Sequence, residues 1–265
     1  VLAFEGGTIS GSGGLGVDAA DCDVTVTGST ISENGGLGID AANSEVRVTG
    51  SKISVNSGLV VDATKSDVTL TGSTISGNSG LGIDAANSDV TVTGSTISEN
   101  GGGIAIATSD YRIQNNFIAK NTSGGVGGLS INTDTASQTK IVQFNTFVEN
   151  SQTDDGYAIV CSGSDLVSSN NIFLHADNGT NTPFVDGSSC TTTYSLFDTD
   201  VPMPSGTGNV SGNAVFVGAG AGNYHLMSGS PGINAADPAA TLDTDIDGDT
   251  RPQGGRHDMG ADEAE

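Results

Sequence analysis

The aspartates near the C-terminus have the spacing of a calcium-binding loop. In the run DTDIDGD, alternate carboxylates converge on an ion and Gly248 permits the sharp turn that such loops need. The aspartates of this run are Asp243, Asp245, Asp247 and Asp249. The twelfth loop position holds Gly254 instead of Glu, which excludes a complete EF-hand, so Asp258, Glu263 or water would have to complete the shell. In a competing structural interpretation, Arg251 pairs with an aspartate and closes the last turn of the fold.

Further acidic residues recur every 22 residues in the first half of the chain. The first column contains Asp18, Asp40, Asp62 and Asp84, and the second contains Asp23, Glu45, Asp67 and Asp89. Alternation with Ile39 and Ile83 points the first column outward. Two interpretations stay open. The columns form either a solvated acidic face, partly neutralised by Arg47 and Lys65, or a weaker ladder of divalent-cation sites for Ca²⁺.

A third set of residues has the chemistry of acid/base catalysis. Lys120, Glu149 and His175 fall in one outward column when the segments FIAKN, FVEN and IFLHA are aligned, and Glu99 precedes them in that column. The column is interpreted either as a surface charge ladder or as a catalytic site made by the first three residues. The catalytic interpretation depends on this alignment alone.

The composition limits the partners that such sites serve. The chain has 265 residues with 40 Gly, no Trp and a formal net charge of −23. This charge repels phosphate backbones and anionic membranes, so we expect no nucleic-acid binding and no membrane insertion, and no transmembrane run is present. Metal cations are more plausible partners, and we expect no organic cofactor.

The elements that position these residues are short strands in a repeat of 22 residues. GLGVDAADCDVTVTGSTISENG begins at Gly14 and returns from Gly36, Gly58 and Gly80, with a shorter copy near Gly102. Apolar residues alternate within each copy, which predicts strands and disfavours leucine-rich and helical-hairpin repeats. Because one copy cannot close a core, the copies must stack at about 4.8 Å as a parallel β-solenoid. The sequence therefore predicts an all-β fold.

Like residues should form interior columns in this stack. One column is predicted at Leu2, Val24, Val46, Val68 and Val90, and another at Ile9, Ile31, Ile53, Ile75, Ile97 and Ile118. The turn column Asn34, Asn56, Asn78, Asn100 and Asn121 should form a hydrogen-bonded amide ladder. Since Leu2 and Phe4 already occupy interior columns, we expect a longer precursor to supply N-terminal coils or a cap.

The second half of the chain is less regular. Coils are still recognised at QFNTFVEN, SNNIFLHA and TTYSLFD, with candidate binding loops at 122–138, 151–157 and 176–190. Cys161 and Cys190 flank these loops and are predicted to form a disulfide, as suits an extracytoplasmic protein. Cys22, which replaces a recurring Ser, is expected to be a free thiol in an exposed turn.

The C-terminal stretch resembles the terminal segment of bacterial surface and secreted right-handed parallel β-helix proteins. The matching pieces are YHL, SPGINA, DIDGDTRP and DMGADE within residues 222–263, beside the STISxN and NNIF coils. The resemblance implies a single right-handed parallel β-helix of about nine coils. We expect one domain over 1–265, with regular coils at 1–121, looped coils at 122–221 and a closing segment at 222–265.

The resemblance also implies the classes of function to consider, because the superfamily includes adhesins, passenger-like proteins and polysaccharide lyases. We expect an extracellular or cell-surface, non-enzymatic solenoid, stabilised by calcium and binding a polysaccharide or another surface ligand. The alternative is a lyase or glycosidase acting on acidic polysaccharide. A minor alternative is ice binding by the outward TxT pairs, which begin at Thr25 and Thr27, although Arg47 interrupts their row.

Overall fold

The computed structural model describes residues 1–123, 127–132, 140–152, 158–162, 166–174, 185–186, 190–200 and 202–264. These residues form short strands and one 3-10 helix, η1 (Ala219–Ala221). None of the described segments is a helix with the length and hydropathy needed to span a bilayer.

The strands of the regular half alternate with tight turns. In chain order they are β1 (Leu2–Glu5), β2 (Thr8–Ser10), β3 (Val17–Ala20), β4 (Val24–Thr27), β5 (Thr30–Ser32), β6 (Ile39–Ala42), β7 (Glu45–Thr49), β8 (Lys52–Ser54), β9 (Val61–Thr64), β10 (Asp67–Thr71), β11 (Thr74–Ser76), β12 (Leu81–Ala86), β13 (Val90–Thr93), β14 (Thr96–Ser98), β15 (Gly102–Ala107), β16 (Tyr111–Gln114) and β17 (Phe117–Ala119).

The strands of the second half are shorter and less evenly spaced. They are β18 (Thr122–Ser123), β19 (Leu129–Asn132), β20 (Lys140–Gln143), β21 (Thr146–Val148), β22 (Ser151–Gln152), β23 (Ile159–Ser162), β24 (Val167–Ser169), β25 (Ile172–Leu174), β26 (Val185–Asp186), β27 (Thr191–Thr193), β28 (Leu196–Phe197), β29 (Val210–Ser211), β30 (Phe216–Gly218) and, after η1, β31 (Asn223–Leu226).

Three parallel sheets run along the stack. Sheet A has nine strands from β1 to β27, sheet B has ten from β2 to β29, and sheet C has eight from β3 to β26. Each regular coil contributes one strand to every sheet, and equivalent residues of successive copies pair directly, as Val24 does with Val46. The predicted all-β parallel solenoid is confirmed.

Seven consecutive coils, from β3–β5 to β23–β25, place a strand of three or more described residues in all three sheets. This is slightly fewer than the nine coils that the sequence predicts. The difference arises because the sequence pattern also counts partial coils, such as the one formed by β1 and β2, which have no strand in sheet C among the described residues.

The interior consists of stacked apolar columns, as predicted. The valine column is continuous through β1, β4, β7, β10 and β13, and Val24, Val46, Val68 and Val90 are buried. The isoleucine column continues past Ile118 into stacked aromatic rings. Phe147 and Phe173 have centroids 5.2 Å apart, and those of Phe173 and Phe197 are 4.9 Å apart.

A buried amide ladder follows the turn after sheet B. The Nδ2 of Asn56 donates to Oδ1 of Asn78 at 3.0 Å, and the Nδ2 of Asn78 donates to Oδ1 of Asn100 at 2.8 Å. The ladder begins at Asn34 and extends beyond the predicted column to Asn150. The ladder gives hydrogen-bond partners to buried polar groups in the turns that would otherwise have none.

Serine columns form further ladders that the sequence analysis did not predict. The Oγ of Ser66, for example, accepts the backbone N–H of Ser44 at 3.1 Å. Cys22 lies at the head of this column, and its N–H donates to Oγ of Ser44 at 3.0 Å. The expectation that Cys22 occupies an exposed turn is therefore wrong, because the column is internal and Cys22 is half-buried.

The C-terminal segment lies along the outer face of sheet B. The N–H of Ala261 donates to Oγ1 of Thr146 at 3.0 Å, and Nδ2 of Asn115 donates to the carbonyl of Thr244 at 2.6 Å. Phe117 and Val148 point outward from sheet B and pack against this segment. The segment thus covers a sheet face that the regular coils leave polar.

Candidate functional site

The first acidic column lies on the outer face of sheet C. Direct pairing of β3, β6, β9 and β12 aligns Asp18 with Asp40, Asp40 with Asp62, and Asp62 with Asp84. Partial burial, followed by repulsion from Asp40 and Asp84, raises the pKa of Asp62. Burial also raises the pKa of Asp84. The column therefore carries unfavourable electrostatic energy that a bound cation would relieve.

The second acidic column has a more structural character. The Oδ1 of Asp23 accepts the N–H of Glu45 at 3.0 Å, and Oδ1 of Asp67 accepts the N–H of Asp89 at 3.2 Å. Glu45 also forms an ion pair with Arg47. These carboxylates thus join neighbouring coils, and Arg47 interrupts the outward threonine row between Thr25 and Thr69.

Lys120 and Glu149 are adjacent, as the alignment predicts. Their Nζ and Oε2 atoms are 3.8 Å apart at a partly exposed site. Both residues occupy a left-handed position before the asparagine ladder. The same backbone conformation recurs in the preceding coils at Glu33, Val55, Gly77 and Glu99. Lys120 and Glu149 therefore occupy an ordinary turn position of the coil. His175, the third residue of the predicted catalytic set, lies outside the described residues.

Tyr224 joins this group, although sequence reasoning did not place it there. Strand β31 brings its ring against Phe117, with the centroids 5.7 Å apart. Burial, with the charges of Glu149 and Glu99, raises the pKa of Tyr224 to about 12. The hydroxyl therefore stays protonated and neutral near these carboxylates.

The aspartate run at 243–249 does not converge as a calcium loop. Asp245 is buried, and its Oδ1 accepts the N–H groups of Asp247 and Asp249, each at 2.9 Å. Its Oδ2 accepts the N–H of Glu263 at 3.1 Å. Asp243 is exposed and contributes its carbonyl to the N–H of Arg251. Asp245 therefore organises the backbone in this structure.

Arg251 is the buried centre of the terminal segment. Its Nη1 lies 3.2 Å from Oε2 of Glu263, and its guanidinium donates to the carbonyls of Asp258 and Gly260. The guanidinium also lies 4.8 Å above the ring of Phe144. Burial lowers the pKa of Arg251, and the surrounding acids oppose this shift. The expectation of an aspartate partner is wrong, because the carboxylate in direct contact belongs to Glu263.

The proposed extra calcium ligands have other partners as well. The Oδ1 of Asp258 accepts the N–H of Asn234 at 2.6 Å, and its Oδ2 accepts the N–H of Ala264 at 2.8 Å. Glu263 accepts the N–H of Gln253 at 2.9 Å. These bonds tie both carboxylates to the backbone of the terminal segment.

A different cluster gathers three potential ligands at the edge of this segment. His225, Asp247 and Asp262 each offer a ligand atom, and these atoms lie within 4.8 Å of one another. His225 belongs to β31, whereas the two aspartates come from the 245–249 turn and the chain end. Burial raises the pKa of Asp262 to about 6. In the part of the chain that the structure describes, no other three acids, histidines or cysteines converge in this way.

The structure pairs Cys161 with Cys190 as a disulfide between positions 29 residues apart. Cys22 carries a free thiol. The candidate loops at 122–138, 151–157 and 176–190 lie largely outside the described residues, so their contribution to a site stays a prediction.

Comparisons with known proteins agree with this architecture. The family described as "right handed beta helix region" matches residues 2–143 and, in a second alignment, 57–228. The crystal structure of pectate lyase Pel9A superposes with a TM-score of 0.59 and 16% sequence identity, covering 97% of this chain and 72% of that one. A sequence search among curated proteins finds no match. At this identity the structural likeness shows a common fold.

Proposed function

This chain belongs to the right-handed β-helix family, and on that premise we propose that it is an extracellular, non-enzymatic solenoid module. In this proposal it serves as an acidic stalk or adhesin-like element at a bacterial cell surface. Calcium stabilises it, and it binds a polysaccharide or another surface ligand.

One observation carries the proposal. Four successive coils place an aspartate at the same outward position of sheet C, from Asp18 to Asp84. Repetition of one residue on one face produces an extended charged surface, whereas catalysis needs a unique constellation of different groups. Burial, followed by repulsion from Asp40 and Asp84, raises the pKa of Asp62, so divalent cations that bridge these carboxylates would stabilise the stack.

Calcium titration tests this role. Isothermal titration calorimetry and thermal unfolding would be recorded with increasing Ca²⁺ for the native chain and for the double variant Asp40→Asn/Asp62→Asn. We expect a calcium-dependent rise in melting temperature that the variant loses. The control is Glu33→Gln/Glu99→Gln, which removes the same charge from exposed turn positions three coils apart, and it should retain the rise. An equal response in all three proteins would refute calcium binding by the column.

Ligand binding is tested separately. The calcium-loaded protein would be passed over immobilised acidic and neutral polysaccharides, and retention would be compared with that of Asp40→Asn/Asp62→Asn. Binding that depends on calcium and on the column would support recognition through bridging ions. Failure to bind any polysaccharide would restrict the proposal to a spacer role.

A second candidate is a polysaccharide lyase, favoured by the contact between Lys120 and Glu149 on a fold shared with pectate lyase Pel9A. Eliminative cleavage of a uronate polymer needs a base and a cation that neutralises the sugar carboxylate. Release of unsaturated sugar ends from uronate polymers would be measured with and without calcium. Activity lost in Lys120→Ala but retained in Lys52→Ala, which removes an exposed lysine, would favour the enzyme.

A further inference from the structure

We propose that His225, Asp247 and Asp262 form a binding site for a divalent transition-metal ion of the zinc class, which ties strand β31 to the C-terminal turn and chain end. This inference is independent of the proposed function. It also differs from the calcium loop that the spacing of Asp243 to Asp249 predicts, because it takes one aspartate of that run and combines it with residues from two other segments.

The three side chains come from positions that the fold fixes. His225 lies in β31, which pairs with β30, and its ring packs edge-on against Phe117 with centroids 5.4 Å apart. The turn that carries Asp247 is held by the Oδ1 atom of Asp245. Asp262 is 6% exposed and follows Ala261, whose N–H is bonded to sheet B. The cluster therefore has a rigid base.

The hydrogen bonds of His225 identify which ring nitrogen is available to a metal. The Oδ1 of Asn223 accepts the backbone N–H of His225 at 3.2 Å and lies 2.6 Å from Nδ1 of the ring. Because this oxygen only accepts, Nδ1 must carry a proton. Nε2 then faces Oδ2 of Asp247, which is 2.7 Å away. A proton on Nε2 or a metal ion must therefore lie between these two atoms.

This arrangement is the one that metal-binding histidines use. Such a histidine donates its second ring N–H to an oxygen, which fixes both the tautomer and the orientation of the ring. Asn223 supplies that oxygen here. Asp262 is held in the same way, because its Oδ2 accepts the N–H of Leu226 at 2.6 Å, and its Oδ1 accepts no hydrogen bond from the described residues. Both potential ligands are thus oriented before any metal binds.

The chemistry of the donor set selects the class of ion. Calcium and magnesium take oxygen ligands, whereas imidazole nitrogen favours zinc and similar transition metals. Ligands at 2.0–2.2 Å around a tetrahedral ion lie roughly 3.3–3.5 Å apart, so Nε2 and the Asp247 carboxylate must separate by roughly 0.6–0.8 Å. Asp247 is half-exposed and free to make this adjustment. The pocket that these residues line leaves room for water as a further ligand.

The test uses metal-free full-length protein titrated with Zn²⁺, followed by isothermal calorimetry and by melting temperature. We expect one saturable equivalent at this site, weakened about tenfold or more by His225→Gln and by Asp247→Asn. Asn223→Ala keeps all three ligands but releases the ring, and should weaken binding by about 10–100-fold. Replacement of Zn²⁺ by Co²⁺ should give a visible absorption spectrum that His225→Gln changes.

Matched controls separate the site from general attraction to an acidic chain. Asp249 lines the same pocket and Asp243 belongs to the same aspartate run, but neither is part of the cluster. The variants Asp249→Asn and Asp243→Asn should therefore each bind Zn²⁺ like the native protein. Ca²⁺ should not displace the bound ion. Absence of a saturable Zn²⁺ equivalent, native affinity in both His225→Gln and Asp247→Asn, or equal competition by Ca²⁺ would each overturn the proposal. Absence of a saturable Zn²⁺ equivalent would mean that a proton bridges His225 and Asp247 instead.

Discussion

Arg251 and Glu263 form an ion pair that is excluded from solvent, with Nη1 and Oε2 3.2 Å apart within the C-terminal segment. Removing one partner of such a pair leaves an uncompensated buried charge. We predict that Arg251→Met lowers the free energy of unfolding by about 3–5 kcal/mol, measured by urea denaturation.

The exposed pair between Arg47 and Glu45 is the control for this prediction. Solvent screens this pair, so Arg47→Met should change the free energy of unfolding by less than about 1 kcal/mol. If Arg251→Met were as mild as Arg47→Met, the terminal segment would not depend on its buried guanidinium.

Asn78 supports the next prediction, because it lies in the middle of the amide ladder. It donates to Asn100 and accepts both the N–H and the side-chain amide of Asn56. Asn78→Ala would leave these buried groups without partners, at a cost of about 1–3 kcal/mol for each unsatisfied group. We expect a large loss of stability in thermal or urea unfolding.

Asn43 provides a matched control on the surface. Its side chain is exposed and its φ is +51°, a conformation that glycine adopts without strain. Asn43→Gly should therefore stay within about 0.5 kcal/mol of the native protein. Equal losses from Asn43→Gly and Asn78→Ala would show that the ladder contributes nothing beyond an exposed amide.

The regular half of the molecule could be predicted in detail because identical copies can stack in only one register that keeps Ile31 above Ile53. The strands, interior columns and asparagine ladder all follow from this periodicity. Sequence reasoning missed the serine ladders because Ser44 resembles any turn residue, and its burial becomes visible only when the coils are stacked.

The terminal segment could not be predicted in the same way, since its contacts join residues as distant as Thr146 and Ala261. One feature of the sequence did indicate that another segment covers sheet B. The outward residues of sheet B change from Thr and Ser in TIS to apolar residues at Phe117 and Val148, which indicates a sheet covered on both faces. The cluster at His225 has no counterpart in sequence spacing, because three separate segments form it.

Val55 supports a prediction about backbone strain. It is 59% exposed and has a φ of +58°, although a β-branched residue is disfavoured in this conformation. Val55→Gly should raise the free energy of unfolding by about 1 kcal/mol. Gly77 holds the equivalent position one coil later, so Gly77→Val should lower stability by a similar amount in the same urea titration. Destabilisation by Val55→Gly would contradict this account.

The disulfide between Cys161 and Cys190 supports a prediction about redox state. It closes a loop of 29 residues, for which lost chain entropy in the unfolded state predicts about 3–4 kcal/mol of stabilisation. Thiol titration of the denatured protein should give one group, from Cys22, before reduction and three afterwards. Cys161→Ser/Cys190→Ser should melt at a lower temperature than the native protein, and Cys22→Ser should not. Three thiols before reduction would exclude the bridge.

Asp62 supports the last prediction, on the pH dependence of stability. Burial and its neighbours raise its pKa above the ordinary 3.8, so the folded state binds this proton more tightly than the unfolded chain does. The resulting stabilisation is complete below about pH 3.8 and is lost as pH rises through the raised pKa. Asp62→Asn should therefore gain stability relative to the native protein as pH rises from about 3.5 to 7, without divalent cations. Thr69→Ala, which lies in sheet A and removes no titratable group, should keep the native pH profile. Melting curves across this range would decide the matter, and a constant difference between the native protein and Asp62→Asn would show that the column carries no electrostatic strain.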